Sequence, residues 1–214
     1  MASLKNKKIL ITCGPTCVAI DSMRVLSNRS TGELGQSLAV KLVKKGANVT
    51  LLEGPVLKPL HEKNITIHKY FFYDELEKTL NAELKKKYDI VIHAAAVSDY
   101  KLAQPFQGKI SSRMKQLTLK LVPTKKLINT IKSKAPHTFL VGFKLVDKIN
   151  AALRMTLDDY LKDTKSDLVV VNSLNEDKYQ AVIVNHEQVI LDKARSREEV
   201  VEKLINILSV EVAM

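Results

Sequence analysis

Read from its sequence alone, this chain is an α/β protein in which a mostly parallel sheet is wound on both faces by helices. Three observations support this. Several short segments are almost wholly apolar, as strands covered on both faces are. Amphipathic stretches with helical spacing lie between them. The 214 residues contain no linker, internal repeat or low-complexity run, so the chain, 1–214, reads as one domain. Strand alternating with helix over such a length is the pattern of a doubly wound, Rossmann-like sheet.

Lys8–Cys13 opens as an apolar strand and breaks at once into Gly14-Pro15-Thr16. A helix pattern starts near Glu33 and runs over Leu34–Lys45, with Leu38, Leu42 and Val43 on one stripe. Gly46 stops it, after Lys44 and Lys45 placed where the helix dipole favours cations. Val49–Glu53 and Ile65–Tyr70 read as strands, Tyr73–Lys87 as a helix and Ile90–Ala95 as a strand. Lys125–Lys134 is the next helix, and Phe139–Phe143 and Leu168–Asn172 are the remaining apolar strands. The tail departs from this rhythm. Gln180–Val184 and Gln188–Leu191 flank Asn185-His186-Glu187 as a small antiparallel hairpin, and Ser196–Leu208 closes the chain as a helix. Cys17–Arg29 and Ser98–Lys115 show no periodic pattern, and loops of that length in a compact domain are usually functional or mobile.

Composition excludes several classes of function. No apolar run approaches the ~20 residues of a membrane span, so no membrane association is expected. The N-terminal Met1–Lys8 lacks the apolar core of a secretory signal. Cys13 and Cys17 are the only cysteines; four apart, they form neither a disulfide framework nor a metal-ligand spacing, and they fit a reducing cytoplasm. The formal net charge of +11 has two readings, an anionic partner or a solvated lysine-rich surface. With 5% aromatic residues, base-stacking platforms are poorly supplied, so a charged small substrate is a better use of the lysines than nucleic acid.

In a sheet of this kind ligands gather beyond the C-terminal ends of the strands. Those ends carry Cys13-Gly14-Pro15-Thr16, Glu53-Gly54-Pro55, Ala94–Asp99, Gly142-Phe143-Lys144 and Asn172-Ser173. The turn at Gly14 and the loop Ser27–Gly35 are rich in the small and hydroxylated residues that offer backbone N–H groups to phosphate, with a helix N-terminus behind them. Ala94-Ala95-Ala96 would let a ring or ribose lie against the backbone, and Asp99 could accept from ribose hydroxyls. The other reading of the alanines is close helix packing. Neither Gly-x-Gly-x-x-Gly after the first strand nor Gly-x-x-x-x-Gly-Lys-Ser/Thr is present. His61, His68, His93, His137 and His186 are scattered, and His93 in its apolar strand reads as a core histidine.

Gly14-Pro15-Thr16, Ile20-Asp21, Arg24–Gly35, Ala94–Tyr100, Lys109–Ser112 and Val141–Leu145, in that order, resemble the motifs of phosphopantothenoylcysteine synthetase, the phosphopantothenate–cysteine ligase of coenzyme A biosynthesis. The resemblance covers essentially the whole chain. It implies a homodimeric enzyme that activates the carboxylate of 4′-phosphopantothenate with CTP or ATP and Mg2+, releases pyrophosphate, and lets cysteine displace the nucleotide. It implies that Asn28 holds the acyl carbonyl and that Arg24 lies near the phosphate of phosphopantothenate or organises the same loop. Lys109 would neutralise triphosphate charge from a flap, with Asn28 and Lys109 as the catalytic pair. Ser30 and Thr31 would contact phosphate, Ala95 and Ala96 the base, sugar and acyl substrate, and Asp99 the ribose. Gly14, Pro15, Thr16 and Phe143 complete the nucleotide site; the metal ligands are unassigned. Departures stand at Ser111-Ser112, where the family has further lysines, at Val146-Asp147 and at Ser173. Many bacterial relatives carry an N-terminal flavin-dependent decarboxylase. With a strand starting at Lys8, the expectation is a stand-alone ligase without flavin, its 180–191 hairpin facing a dimer partner. The alternative, from the strand pattern alone, is a Rossmann-like NAD(P)-binding reductase or nucleotide-binding module.

Overall fold

The computed structural model describes residues 4–113, 115–150, 153–175 and 178–212. Along the chain run β1 (Lys8–Cys13), a short pair β2 (Cys17–Ala19) and β3 (Val25–Ser27), α1 (Glu33–Lys44), β4 (Asn48–Glu53), β5 (Ile65–Lys69), α2 (Tyr73–Glu83) and β6 (Ile90–His93). A second short pair, β7 (Tyr100–Leu102) and β8 (Leu121–Pro123), precedes α3 (Ile131–Lys134), β9 (Phe139–Leu145) and α4 (Leu153–Thr164). The chain ends with β10 (Leu168–Asn175), β11 (Lys178–Asn185), β12 (Ile190–Ala194) and α5 (Arg197–Glu211).

Eight strands form one sheet in the order β12-β11-β10-β9-β6-β1-β4-β5. It is parallel from β5 through β10 and antiparallel across β11 and β12. The expected α/β fold is therefore what forms. Alternate residues of each strand feed opposite faces. Ile9 and Ile11 join Leu38, Ala39 and Leu42 of α1 and Val201 and Leu204 of α5 in one core. Leu10 joins Leu76 and Leu80 of α2 and Ile131 of α3 in the other. From β1 the chain crosses to β4 on one side and returns to β6 on the other, so a crevice opens between the C-terminal ends of β1 and β6.

α1 lies unusually close to the sheet. A Cβ on Gly35 would sit 2.4 Å from the Cβ of Cys13, so only glycine lets this first turn rest on β1. Its far end closes as the sequence requires: Gly46 donates to the carbonyl of Val43 at 2.8 Å and Ala47 to that of Leu42 at 3.2 Å. α5 starts on Ser196, whose hydroxyl accepts from Glu199 N–H at 3.1 Å.

Four elements differ from the sequence-based expectation. The helix expected over Lys125–Lys134 is a 3₁₀ turn, Leu127–Thr130, followed by the single turn α3. Here Thr130 and Ser133 hydroxyls take the carbonyls of Leu127 and Thr130, competing with the helical ladder. α2 ends at Glu83, followed by a 3₁₀ turn, Leu84–Lys86, and Lys87 in the left-handed region. α4 is additional: among its described residues it buries only Leu157 and Thr164, too little for a legible stripe. The hairpin spans 178–194 rather than 180–191 and extends the main sheet. The two stretches read as irregular hold the ribbons β2–β3 and β7, and β2 lies beside β7.

Candidate active site

The crevice between β1 and β6 is built by a continuation of their ladder. Past Cys13, Gly14 accepts from Ala96 N–H at 2.9 Å and Thr16 N–H donates back to Ala96 at 3.3 Å. The Ala94-Ala95-Ala96 run is thus the floor of the crevice, half-buried, with Ala95 N–H held by the Thr12 hydroxyl at 3.2 Å. Thr12 in turn meets His93 Nδ1 at 3.0 Å. Burial pushes the His93 imidazole down to about 4, so the ring is neutral at ordinary pH and serves as a core polar group, as its sequence setting implies.

Thr16 takes a different part from the one expected. Its side chain is fully buried, accepts from Ser98 N–H at 2.9 Å and donates to the Ser98 hydroxyl at 3.0 Å. With its own N–H on Ala96, it offers neither hydroxyl nor amide to a ligand. It braces the floor. Pro15 and Gly14 are buried too, so the turn shapes the crevice rather than lining it with side chains.

Asn28 lies over that floor. One residue past β3, its side-chain amide donates to the Val97 carbonyl at 3.1 Å and to the Ala96 carbonyl at 3.4 Å. Ser27 donates to the carbonyl of Thr16 at 3.1 Å. Two segments 68 residues apart, each singled out from sequence, therefore meet. Thr31 reaches Glu33 N–H at 3.5 Å at the start of α1, and Ser30 is half-buried beside it. Asp99, beyond the floor, is exposed and paired with Lys126. Sequence reasoning assigned Lys126 only to a helix start; the Lys125-Lys126 run was its one signal. Phe143 sits at the same end of the sheet on β9 but packs against the core, and its carbonyl accepts from Tyr160 at 3.3 Å.

Arg24 and the residue after Lys109 meet at the tip of the β2–β3 ribbon, the end away from Asn28. Arg24 Nη1 pairs with Asp21 at 2.6 Å and reaches the Ile110 carbonyl at 3.3 Å. Lys109, next to Ile110, is exposed. Asp21 accepts from the N–H groups of Met23, Arg24 and Ile110, and these bonds, the one from Ile110 foremost, with the guanidinium hold its carboxyl at about 2. Burial and the Glu53 carboxylate push the Cys13 thiol far above its usual range, so Cys13 is not a nucleophile here. Among the described residues no group of three or more His, Cys, Asp or Glu could hold a metal ion, and no helix is long and apolar enough to cross a membrane.

The family model described as DNA/pantothenate metabolism flavoprotein C-terminal domain matches residues 4–209. The chain belongs to this family. A curated relative, the Coenzyme A biosynthesis bifunctional protein CoaBC of Thermococcus kodakarensis, is 33% identical over 208 residues, covering 94% of this chain and 51% of that protein. Another, from Borreliella burgdorferi, is 33% identical over 213 residues, 96% of this chain and 53% of that one. The chain spans about half the length of these family members. The crystal structure of the DNA/pantothenate metabolism flavoprotein from Streptococcus pneumoniae superposes with a TM-score of 0.82 at 28% identity, covering 94% of this chain and 98% of that one. A Cab2 variant in complex with phosphopantothenate-cysteine shares the fold, with a TM-score of 0.76 at 20% identity over 96% of this chain and 86% of the other. The motifs that the sequence shares with the synthetases are thus carried by a chain of that family and fold.

Proposed function

We propose that this chain condenses 4′-phosphopantothenate with cysteine through an acyl-nucleotidate, using CTP or ATP. The observation that carries this is the Asn28 amide seated on the Ala96–Val97 carbonyls above the β1–β6 crevice. Family membership and the name of the curated relatives support it, as does the ligand bound in the Cab2 complex of the same fold.

In this reading the substrate carboxylate attacks the α-phosphorus and pyrophosphate leaves. The cysteine amine then attacks the acyl carbon, the nucleoside monophosphate leaves, and the amine's proton is lost to solvent or the departing phosphate. The protein's task is charge and geometry. The bond from Asn28 to Ala96, at 3.4 Å, is near the limit for a hydrogen bond. Exchanging it for the acyl carbonyl costs little, while the shorter bond to Val97 keeps the amide aimed. A donor held on the carbonyl of the mixed anhydride favours the tetrahedral step. Lys109 offsets triphosphate charge, and Ser30, Thr31 and the N-terminus of α1 receive phosphate. Ala95 and Ala96 admit the sugar and base, and the Lys126 partner of Asp99 yields to ribose hydroxyls and turns to phosphate. Magnesium would be held by the nucleotide's phosphates and would offset their charge.

A homodimer is part of the same proposal. Among the exposed large apolar side chains, Met23, Val25, Leu26, Tyr100 and Leu121 lie on the two neighbouring ribbons next to Asn28. Such a cluster marks an interface, and we place a contact with a second copy there; the 180–191 hairpin, whose Val189, Ile190 and Leu191 are exposed as well, is the other face proposed for it. The reductase alternative lacks support from the first turn, whose Thr16 N–H is already taken. The test is pyrophosphate release with phosphopantothenate, cysteine and CTP or ATP, with product mass. No turnover with either nucleotide overturns the ligase reading.

A further inference from the structure

We infer that Asp21 is a positioning residue that locks the Lys109 loop to the ribbon carrying Asn28. No role for it follows from the motifs alone. Its side chain is wholly shielded from solvent, at the tip of the β2–β3 ribbon. One oxygen closes the tip, accepting from Met23 N–H at 2.8 Å and Arg24 N–H at 2.7 Å. The other reaches out of the ribbon, accepting from Arg24 Nη1 at 2.6 Å and from Ile110 N–H at 3.0 Å. Arg24 completes the clasp by donating to the Ile110 carbonyl, so the N–H and the carbonyl of Ile110 are both held by the Asp21–Arg24 pair.

Two backbone bonds run alongside: Phe106 N–H to Ile20 at 3.0 Å and Ser22 N–H to Gly108 at 3.1 Å. Those bonds hold residues on the N-terminal side of Lys109. Among the described residues, the hydrogen bonds that tie its C-terminal side to the ribbon are those of the Asp21–Arg24 clasp to Ile110, which is buried there. Lys109 is thus pinned at both neighbours with its own side chain free to project. At the other end of β3, four residues from Arg24 and about 13 Å along an extended strand, Asn28 is pinned to Ala96 and Val97. The ribbon is a short rigid link with one catalytic candidate at each end, and Asp21 is the joint at the Lys109 end. A carboxylate is required because all four of its contacts are donors. An amide would turn an NH2 toward the Ile110 N–H and the guanidinium.

The inference rests on the ligase reading only through the role of Lys109, and its test keeps the two apart. Wild type, Asp21→Asn, Lys109→Ala and the double variant are compared by pyrophosphate release, with native hydrogen exchange at the Ile110 amide. Asp21→Asn is expected to lower kcat about tenfold to a hundredfold, the cost of a misplaced group, with little change in KM for cysteine. In the Lys109→Ala background the same change should add less than about twofold, because the two act as one unit. Full losses that multiply, or an Asp21→Asn enzyme at wild-type rate, overturn the inference. An inactive wild type overturns the ligase reading instead, and exchange then decides alone. The Ile110 amide should be protected in wild type and lose that protection in Asp21→Asn. If Asp21→Asn does not fold, an unprotected Ile110 amide in wild type overturns the clasp and a protected one upholds it.

Discussion

Replacing Gly35 by alanine tests the claim that the second glycine of the Gly32–Gly35 pair is there for packing. The added Cβ would lie 2.4 Å from the Cβ of Cys13, where carbon atoms ordinarily rest about 3.5–4.0 Å apart. A separation of about 1 Å or more must be found. Cys13 cannot supply it by rotating, because its Cβ is fixed by a backbone whose strand β1 is paired to β4 and β6. α1 must therefore back off, loosening Leu38, Ala39 and Leu42 against the sheet. Overpacking of this kind costs about 1–3 kcal/mol, and alanine's better helix propensity offsets at most about 1 kcal/mol. The net is a loss of about 1–2 kcal/mol, which in a domain this size lowers Tm by roughly 2–8 °C. Thermal and urea unfolding followed by circular dichroism measure it. Cys13→Ala should give no relief in the Gly35→Ala background, since the offending atom stays and Sγ is farther away, at 3.6 Å. An unchanged or raised Tm, or rescue by Cys13→Ala, refutes the argument.

Three further outcomes are expected. His93 is held down to about 4 from an ordinary 6.5, so below pH 6.5 the unfolded chain binds a proton that the folded one refuses. Its contribution is complete above pH 6.5 and is lost as pH falls toward 4, by about 3 kcal/mol at most; urea unfolding of His93→Gln should show a flatter pH slope, and an equal slope would contradict the neutral buried ring. Asn28→Asp replaces a donor by a carboxylate facing two carbonyls, and should cut ligation about a hundredfold or more with Tm nearly unchanged; a full rate would remove Asn28 from the mechanism. Leu26→Glu puts a charge on the exposed ribbon and should convert a dimer to a monomer by light scattering; a dimer that persists would take the contact off the ribbon.

How far the sequence discloses this fold depends on how much each segment buries. β1 is apolar at nearly every position because both its faces are covered, and its ends, Lys8 and Cys13, are those read from the pattern. β3 is the opposite case. Val25, Leu26 and Ser27 are all exposed, and a three-residue strand has no room for a period of two. The ribbons that hold Arg24 and Asn28 were therefore invisible as structure, although their residues stood out as a motif. α4 escaped for a related reason. Met155 is exposed and Leu157 buried, with Asp158, Asp159 and Asp163 following, so no stripe emerges. Thr16 illustrates a different limit. A hydroxyl beside a glycine-proline turn suits phosphate equally well as it suits Ser98, and only the fold brings Ser98 within 3.0 Å.

The two glycine turns have a common explanation that the spacing alone could not supply. Gly14 and Gly32, both at positive φ, lie against each other and against Val56. A Cβ on Gly32 would be 2.7 Å from the Val56 side chain and 3.4 Å from the Gly14 backbone, and one on Gly14 would be 3.0 Å from Val56. Backbone thus meets backbone where the end of β1, the start of α1 and the loop after β4 converge. That loop is tethered in turn by Glu53, buried at the end of β4, whose carboxylate accepts from Gln36 at 2.8 Å and from Leu60 N–H at 3.0 Å. The glycines are required by this convergence whether or not a phosphate is ever bound. A helix brought in so closely has its N-terminal amides set directly behind Ser30 and Thr31. In the ligase reading, phosphate recognition is therefore a consequence of tight packing, and the chemistry is left to residues on the ribbon and the loop that the packing holds in reach.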